Sequence, residues 1–143
     1  ILNLSSVGGF VSFPGAGIYC ATKFALEALS ESLAKEVESL GIKIIIVEPG
    51  AFRTDFNGRS LVLADTQIAD YESVISGFRQ WLQDMDGKQP GDPVKAAEAM
   101  VQAVNSDNPP LRLALGADAV SAIETKLESV KTELDAWKDV AVN

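Results

Sequence analysis

The run Ile42–Glu48 (Ile-Lys-Ile-Ile-Ile-Val-Glu) restricts the possible folds of this 143-residue chain more than any other segment. Its nearly continuous β-branched sequence is typical of a strand buried on both faces of a parallel sheet. Pro49 and Gly50 end the strand at its carboxyl edge. Two other short apolar segments, Ile1–Leu4 and Leu111–Leu115, are also predicted to be strands. Because parallel strands are joined by crossovers whose helices cover the sheet, these segments predict an α/β fold.

Four segments have the three- and four-residue periodicity of amphipathic helices. Gly41 is expected to be the C′ residue of the first, and Asp92 with Pro93 to open the third as N-cap and N1. Asp118 is expected to cap the fourth. The predicted helices cover residues 18–40, part of 71–85, the segment from Pro93 that is stopped by Asn108-Pro109-Pro110, and the residues that follow 118.

Three polar residues lie where a parallel α/β sheet keeps its active site, outside the carboxyl ends of the strands. Ser6 follows the first predicted strand, and Tyr19 and Lys23 are four residues apart on nearly the same face of the next helix. Free tyrosine has a pKa of about 10, and an ammonium group one helical turn away favours the ionised phenol. A tyrosine that exchanges a proton, a lysine that tunes it and a serine that holds a substrate oxygen suit the interconversion of a carbonyl and an alcohol.

The setting of these residues, Ile-Leu-Asn-Leu-Ser-Ser-Val-Gly-Gly and then Tyr-Cys-Ala-Thr-Lys, resembles the short-chain dehydrogenase/reductase family. That family has Ser and Tyr-x-x-x-Lys at this spacing. Residues 49–54 (Pro-Gly-Ala-Phe-Arg-Thr) resemble its Pro-Gly-x-x-x-Thr motif, which follows the sixth strand and contacts the nicotinamide. The resemblance implies that the catalytic residues are Ser6, Tyr19 and Lys23. It implies that the cofactor is bound by Tyr19, Lys23, Pro49, Gly50, Phe52 and Thr54.

The resemblance also implies a Rossmann-type doubly wound parallel sheet, of which only the last three strands and their flanking helices are present. Residues 1–143 are then the C-terminal part of a single domain whose N-terminal cofactor-binding half is missing. No glycine-rich fingerprint of the kind that places a pyrophosphate at a helix N-terminus occurs in the sequence. The family's catalytic Asn is expected outside the chain. NADP is preferred to NAD as the cofactor, although the residues that distinguish them lie near the missing loop.

Composition excludes several classes of partner and site. The net charge of −8 argues against nucleic acids and anionic membranes, and no apolar run approaches the roughly 20 residues of a membrane span. Cys20 is the only cysteine, so no internal disulfide is possible and a cytoplasmic location is expected. The chain has no histidine, which excludes His-based triads and His metal sites, and the carboxylates have no metal-binding pattern. We therefore expect no metal.

The helices at 18–40 and after 118 carry long apolar stripes. The sequence does not decide what the first stripe packs against. Many members of the resembled family dimerise through the helix at 18–40, which implies that its stripe meets another subunit. That the stripe only covers the sheet is an equally good interpretation. The last stripe has the spacing of a coiled-coil seam, but with fewer than three heptads it is expected to pack on its own domain. The first stripe is Ile18, Ala21, Ala25, Leu26, Leu29, Leu33, Val37 and Leu40; the third helix has Val94, Ala97, Met100, Val101 and Val104; the last has Val120, Ile123, Leu127, Val130, Leu134 and Trp137.

Residues 55–91 are the least regular part of the sequence and are rich in large apolar side chains. In the resembled family this segment forms the lid over the substrate, which implies an apolar or aromatic substrate pocket. The simpler interpretation is that these side chains pack the lid helix onto the domain. The sequence does not identify the substrate.

The expected function is that of an oxidoreductase that interconverts a carbonyl and an alcohol of a small molecule by hydride transfer with NAD(P)(H). A homo-oligomer is expected. Two alternatives are a catalytically inactive fragment, because half of the cofactor site is absent, and a binding or regulatory relative that serves as an assembly module. The presence of Ser6, Tyr19 and Lys23 together weighs against the second alternative, because a binding module has no need of all three.

Overall fold

The fold is an α/β arrangement built on one parallel sheet, as the computed structural model of residues 1–66 and 68–142 describes it. The strands are β1 (Leu2–Leu4), β2 (Ile45–Pro49) and β3 (Arg112–Leu115), and they lie side by side in that order. All three predicted strands are confirmed. β2 begins three residues later than predicted, because the ladders to β1 and β3 engage it only from Ile45 and Ile46 onward.

Helices occupy all four predicted segments. They are α1 (Gly17–Val37), α2 (Glu72–Asp84), α3 (Pro93–Val104) and α4 (Ala117–Ala141). Single 3₁₀ turns cover Val7–Gly9, Glu38–Leu40 and Ala69–Tyr71. None of the helices in the described ranges has the length and the apolar composition of a membrane-spanning helix.

Two of the three predicted helix boundaries are confirmed. Gly41 has the left-handed backbone of a C′ residue, with φ of 72°, after the 3₁₀ turn that ends the first helix. The Asp92 side chain accepts a hydrogen bond from the Val94 amide, 2.9 Å away, and Pro93 is N1 of α3. The prediction for Asp118 is wrong. Gly116 is the N-cap of α4, and the Asp118 carboxylate instead accepts a hydrogen bond from the Ala51 amide at 2.7 Å.

One face of the sheet packs against a helix through apolar side chains, and the other face does so through polar side chains. One face carries Ile45, Val47 and Leu115, which pack against Ala96 and Ala103 of α3 and form the apolar core. Alanine on the helix lets the α3 backbone approach the branched side chains of β2 closely, so that little empty space is left between them.

The other face of the sheet meets α1 through polar side chains. The Asn3 amide donates to the Ser30 hydroxyl at 2.8 Å. Arg112 of β3 forms an ion pair with Glu31 at 2.7 Å and lies 3.3 Å from Glu27, which is almost fully buried. Because these residues alternate along β1 and β3 with those of the apolar core, α1 and α3 lie on opposite faces.

This placement gives the two crossovers opposite hands. The connections β1–α1–β2 and β2–α3–β3 step in the same direction across the sheet, yet their helices cover opposite faces. Parallel crossovers are right-handed in about 98% of cases. One of these two connections therefore departs from the rule, which no local sequence pattern indicates.

The large apolar stripes of the helices are mostly turned away from the sheet. On α1, Ile18 and Leu29 are 85% and 70% exposed, and the buried residues of that helix are Cys20, Glu27 and Ser30. On α3, Val94, Val101 and Val104 are more than half exposed, while Ala96 and Ala103 are buried. The stripe on α4 is likewise exposed, so the prediction that it packs on its own domain is wrong for the described residues.

Candidate active site

Ser6 is placed at the carboxyl end of β1 by the turn that follows the strand. It is the N-cap of the 3₁₀ turn Val7–Gly9, and its hydroxyl oxygen accepts a hydrogen bond from the Gly8 amide at 3.0 Å. The neighbouring Ser5 amide donates to the Val47 carbonyl, which extends the ladder between β1 and β2 up to this turn. The position of Ser6 thus depends on the end of the sheet and not on a long loop.

Tyr19 and Lys23 lie in the first two turns of α1, as the sequence predicts. The Lys23 ammonium reaches back to the end of β1, where Nζ donates to the Leu4 carbonyl at 3.0 Å. The same nitrogen lies 6.0 Å from the centroid of the Tyr19 ring. Lys23 therefore links the start of α1 to the strand that precedes Ser6.

Gly8 lies between Ser6 and Tyr19 and lets both side chains approach its backbone closely. A Cβ atom at Gly8 would lie 3.1 Å from Cε1 of Tyr19 and 3.4 Å from Oγ of Ser6. The serine hydroxyl and the tyrosine ring therefore border the same small volume, which a side chain at residue 8 would occupy. Motif spacing does not identify Gly8, although its place in the Gly-Gly pair after Ser6 is a usable signal.

The loop that follows β2 is held by three separate contacts. Asp118 accepts from the Ala51 amide, and a Cβ at Gly50 would overlap the Asp118 carboxylate. Phe52 forms an isolated parallel bridge with Gly91, in which the Gly91 amide donates to the Ala51 carbonyl at 3.0 Å. These contacts give residues 49–52 one defined path at the carboxyl edge of the sheet.

Arg53 and Thr54 complete this loop. Arg53 Nη1 donates to the Gln89 carbonyl at 2.9 Å, which ties the loop to the segment before α3. Thr54 is exposed, and its hydroxyl accepts a hydrogen bond from the Phe56 amide at 3.3 Å. Phe56 in turn contacts the Tyr19 ring, with centroids 5.5 Å apart. The loop at 49–54 and the Ser6–Tyr19–Lys23 group, far apart in sequence, are thus brought together.

Aromatic side chains pack beside the site. Phe13, in the loop between Ser6 and α1, stacks on Phe78 of α2 with centroids 6.5 Å apart, and Phe78 stacks on Trp81 at 6.0 Å. This packing attaches α2 to the loop before α1, in agreement with the simpler interpretation of residues 55–91. Sequence periodicity does not indicate the partners of these rings.

A buried carboxylate lies directly before the loop. Glu48, the penultimate residue of β2, is 1% exposed and has Arg112 Nε at 3.5 Å. Burial, with the nearby charge of Glu27, raises the pKa of Glu48 to about 7, and Arg112 only partly opposes this rise. By contrast, hydrogen bonds from Arg112 and Lys35 lower the pKa of Glu31 at the outer end of the cluster.

Sequence relatives were found over most of the chain. A family model described as short chain dehydrogenase matches residues 1–61. An oxidoreductase of Botryotinia fuckeliana is 33% identical over 142 residues, which are 99% of this chain and 52% of the relative. A 3-ketodihydrosphingosine reductase of Bacteroides thetaiotaomicron is 36% identical over 118 residues, which are 81% of this chain and 43% of the relative.

The fold also matches a solved structure. A crystal structure of a short-chain dehydrogenase from Streptomyces avermitilis is 47% identical and has a TM-score of 0.86. The match covers 98% of this chain and 50% of that one. The chain thus spans about half the length of the relatives it matches. The likeness confirms the predicted α/β class, a Rossmann-type parallel sheet of which three strands are present.

Proposed function

This chain belongs to the short-chain dehydrogenase/reductase family, and we propose that the protein containing it is an NAD(P)-dependent oxidoreductase that interconverts a carbonyl and an alcohol. The observation that carries the proposal is the close approach of the Ser6 hydroxyl oxygen and the Tyr19 ring to Gly8, with the Lys23 ammonium 6.0 Å from the centroid of that ring. A carbonyl oxygen bound beside Ser6 and Tyr19 would accept hydrogen bonds from their two hydroxyl groups.

Tyr19 would exchange the proton in this reaction. In the reducing direction its phenol donates a proton to the carbonyl oxygen while the carbonyl carbon accepts a hydride, and the oxidising direction reverses both transfers. Ser6 would hold the oxygen by a hydrogen bond that strengthens as negative charge develops there. The Lys23 ammonium, at 6.0 Å from the ring centroid, would stabilise the phenolate that remains after proton donation.

The cofactor would supply the hydride, and the chain fits its nicotinamide end. The loop at 49–54 has a defined path, held by Asp118 and by the bridge between Phe52 and Gly91, and Phe56, just beyond it, contacts the Tyr19 ring. The residues proposed to bind the cofactor are Tyr19, Lys23, Pro49, Gly50, Phe52 and Thr54. NADP is proposed in preference to NAD, and residues beyond this chain would bind the adenosine half.

An apolar substrate is proposed because an aromatic ring contacts the proposed proton donor and further rings pack along the segments that flank it. Phe56 contacts the Tyr19 ring, and Phe13 and Phe78 stack close by. The name of one relative, a 3-ketodihydrosphingosine reductase, supports reduction of a ketone. The chemical class proposed is therefore a carbonyl or alcohol carried on an apolar body.

The test of this proposal is Tyr19→Phe in the longer protein that contains this chain. We expect turnover to fall by about 10²–10⁴-fold, because the proton donor is removed, while cofactor binding measured by fluorescence titration is retained. Tyr71→Phe is the matched control, since Tyr71 is the only other tyrosine and is 60% exposed. Full turnover in Tyr19→Phe would refute the assigned role.

A homo-oligomer is proposed through the exposed face of α1. Ile18 and Leu29 are both largely exposed on this helix, together with Ala21 and Ala25. Small and large apolar side chains on one helix face suit close packing against the same face of a second copy. Replacement of Leu29 by a charged residue tests this interface, because burial of that charge would be unfavourable.

A further inference from the structure

The long helix α4 extends beyond the contacts that attach it to the domain. Its first turn is anchored by Ala119, which is fully buried, and by Asp118, which bonds the loop after β2. From residue 124 to residue 142 every residue is exposed. At 1.5 Å per residue the 25-residue helix is about 37 Å long, so most of its length is free to pack against something else.

An apolar seam runs along this exposed length. Its six residues alternate three and four apart, which is the spacing of a coiled-coil seam. Five of the six side chains are between 43% and 67% exposed. In heptad notation the a positions are Val120, Leu127 and Leu134, and the d positions are Ile123, Val130 and Trp137.

We propose that α4 pairs with α4 of a second copy of this chain in an antiparallel two-helix coiled coil. With the helices centred on each other, Leu127 lies opposite the partner's Val130, and Val120 opposite the partner's Trp137. Every layer then joins an a position to a d position, as antiparallel packing requires. The small residue Val120 faces the large Trp137, so that the layers at the two ends have a balanced volume.

The charges beside the seam select this orientation. In the antiparallel arrangement Glu124 lies beside the partner's Lys131, and Lys126 beside the partner's Glu133. Symmetry repeats both pairs, so four pairs of opposite charge flank the seam and none of like charge. Charges at the e and g positions set partner choice and orientation in coiled coils. Lys131 also pairs with Asp135 of its own helix at 2.5 Å, and its three N–H donors allow both contacts.

The parallel alternative is disfavoured by the same residues. In a parallel dimer in register, Lys126 would lie beside the partner's Lys131, which places two like-charged pairs next to the seam. Only Glu133 would find an opposite charge, in the partner's Lys138. The two orientations therefore respond oppositely to a change at Lys131, and this difference makes the proposal testable.

The experiment exchanges the charged residues beside the seam and measures the association constant of the full chain by sedimentation equilibrium. It is done in a Leu29→Glu background, in which association through α1 is blocked. We expect Glu124→Lys and Lys131→Glu each to weaken association by about tenfold, because each turns two attractive pairs into repulsive ones. The combined variant Glu124→Lys/Lys131→Glu is expected to restore it.

Glu128→Lys is the matched control, because it makes the same charge change at a b position that points away from the seam. An association constant in Glu124→Lys no lower than in this control would overturn the proposal. Stronger association of Lys131→Glu than of the unchanged chain would also overturn the proposal, because it would indicate parallel pairing. A lower unfolding midpoint for Leu127→Asp in the dilute monomer would show that the seam packs within its own polypeptide, and would also overturn the proposal.

Discussion

Gly8 determines how closely the Ser6 hydroxyl and the Tyr19 ring approach each other. The backbone of Gly8 does not have the positive φ that excludes other residues, so only the space is restrictive. A methyl group there would lie 3.1 Å from Cε1 of Tyr19, which is closer than carbon atoms normally pack. The tyrosine ring, rather than the backbone, would have to move.

We therefore predict that Gly8→Ala lowers turnover of the longer protein by about tenfold, because a small displacement of the proton donor is costly. The free energy of unfolding is expected to change by less than about 1 kcal/mol. The measurement is steady-state turnover together with urea unfolding. Gly17→Ala is the control, since a Cβ at Gly17 meets no atom within 4 Å. Equal turnover in the two variants would contradict the prediction.

The buried carboxyl group of Glu48 makes the free energy of unfolding depend on pH. Its pKa is raised from 4.5 to about 7 in the folded chain. A raised folded-state pKa means that the group's contribution to stability is fully present below pH 4.5 and is lost as the pH rises through about 7. The folded protein thus favours the protonated carboxyl group.

Glu48→Gln is therefore expected to become more stable than the wild type as the pH rises from 5 to 8, by up to about 3 kcal/mol, the free-energy equivalent of the shift. The measurement is urea unfolding of both proteins at several pH values. Glu31→Gln is the control, for which the opposite dependence of stability on pH is expected. The pKa of Glu31 is lowered, so its contribution is present above the unfolded pKa and is lost as the pH falls. Parallel curves for Glu48→Gln and wild type would refute the assignment.

At the scale of whole elements, periodicity predicts that a segment is a helix but not which side of it is buried. α1 turns Glu27 and Ser30 inward because Arg112 and Asn3 on the sheet offer them partners. α3 turns Ala96 and Ala103 inward because they fit closely against the branched residues of β2. In both cases the buried side is chosen by the surface opposite the helix, which lies elsewhere in the sequence.

One contact between elements joins the start of α4 to the loop after β2. We predict that Asp118→Ala lowers the free energy of unfolding by about 1–2 kcal/mol, since the Ala51 amide loses a charged acceptor. Asp118→Asn keeps an acceptor oxygen and should lose less. Asp107→Ala, at an exposed loop position, is the control. Chemical denaturation of the four proteins measures this, and equal midpoints for Asp118→Ala and Asp107→Ala would refute it.

At the scale of the whole molecule, the exposed apolar stripes of α1 and α4 belong to two different helices of the fold. The stripe on α1 is available to a second copy, and that on α4 forms a separate surface. Because the two faces belong to different helices, they can be blocked one at a time. Association through each is therefore measurable without the other.

We predict that Leu29→Glu lowers the oligomeric state of the protein, because a charge would have to be buried between two α1 helices. Sedimentation velocity is the measurement. Val62→Glu makes the same kind of change at a position that is 90% exposed in a loop, and it is expected to have no effect. An unchanged oligomeric state in Leu29→Glu would exclude α1 as the interface.

The sequence by itself determined the class of the fold and the approximate positions of the three strands and four α-helices that the structure describes, and it is the basis for proposing Ser6, Tyr19 and Lys23 as site residues. Those are local properties, because hydrophobic period, turn residues and motif spacing are set by neighbours along the chain. The tertiary structure alone decided the inward face of each helix, the opposite hands of the crossovers, the close approach of Tyr19 to Gly8 and the contact of Asp118 with Ala51, 67 residues away. Each of these depends on which surfaces meet in space, and that follows from packing the whole chain at once.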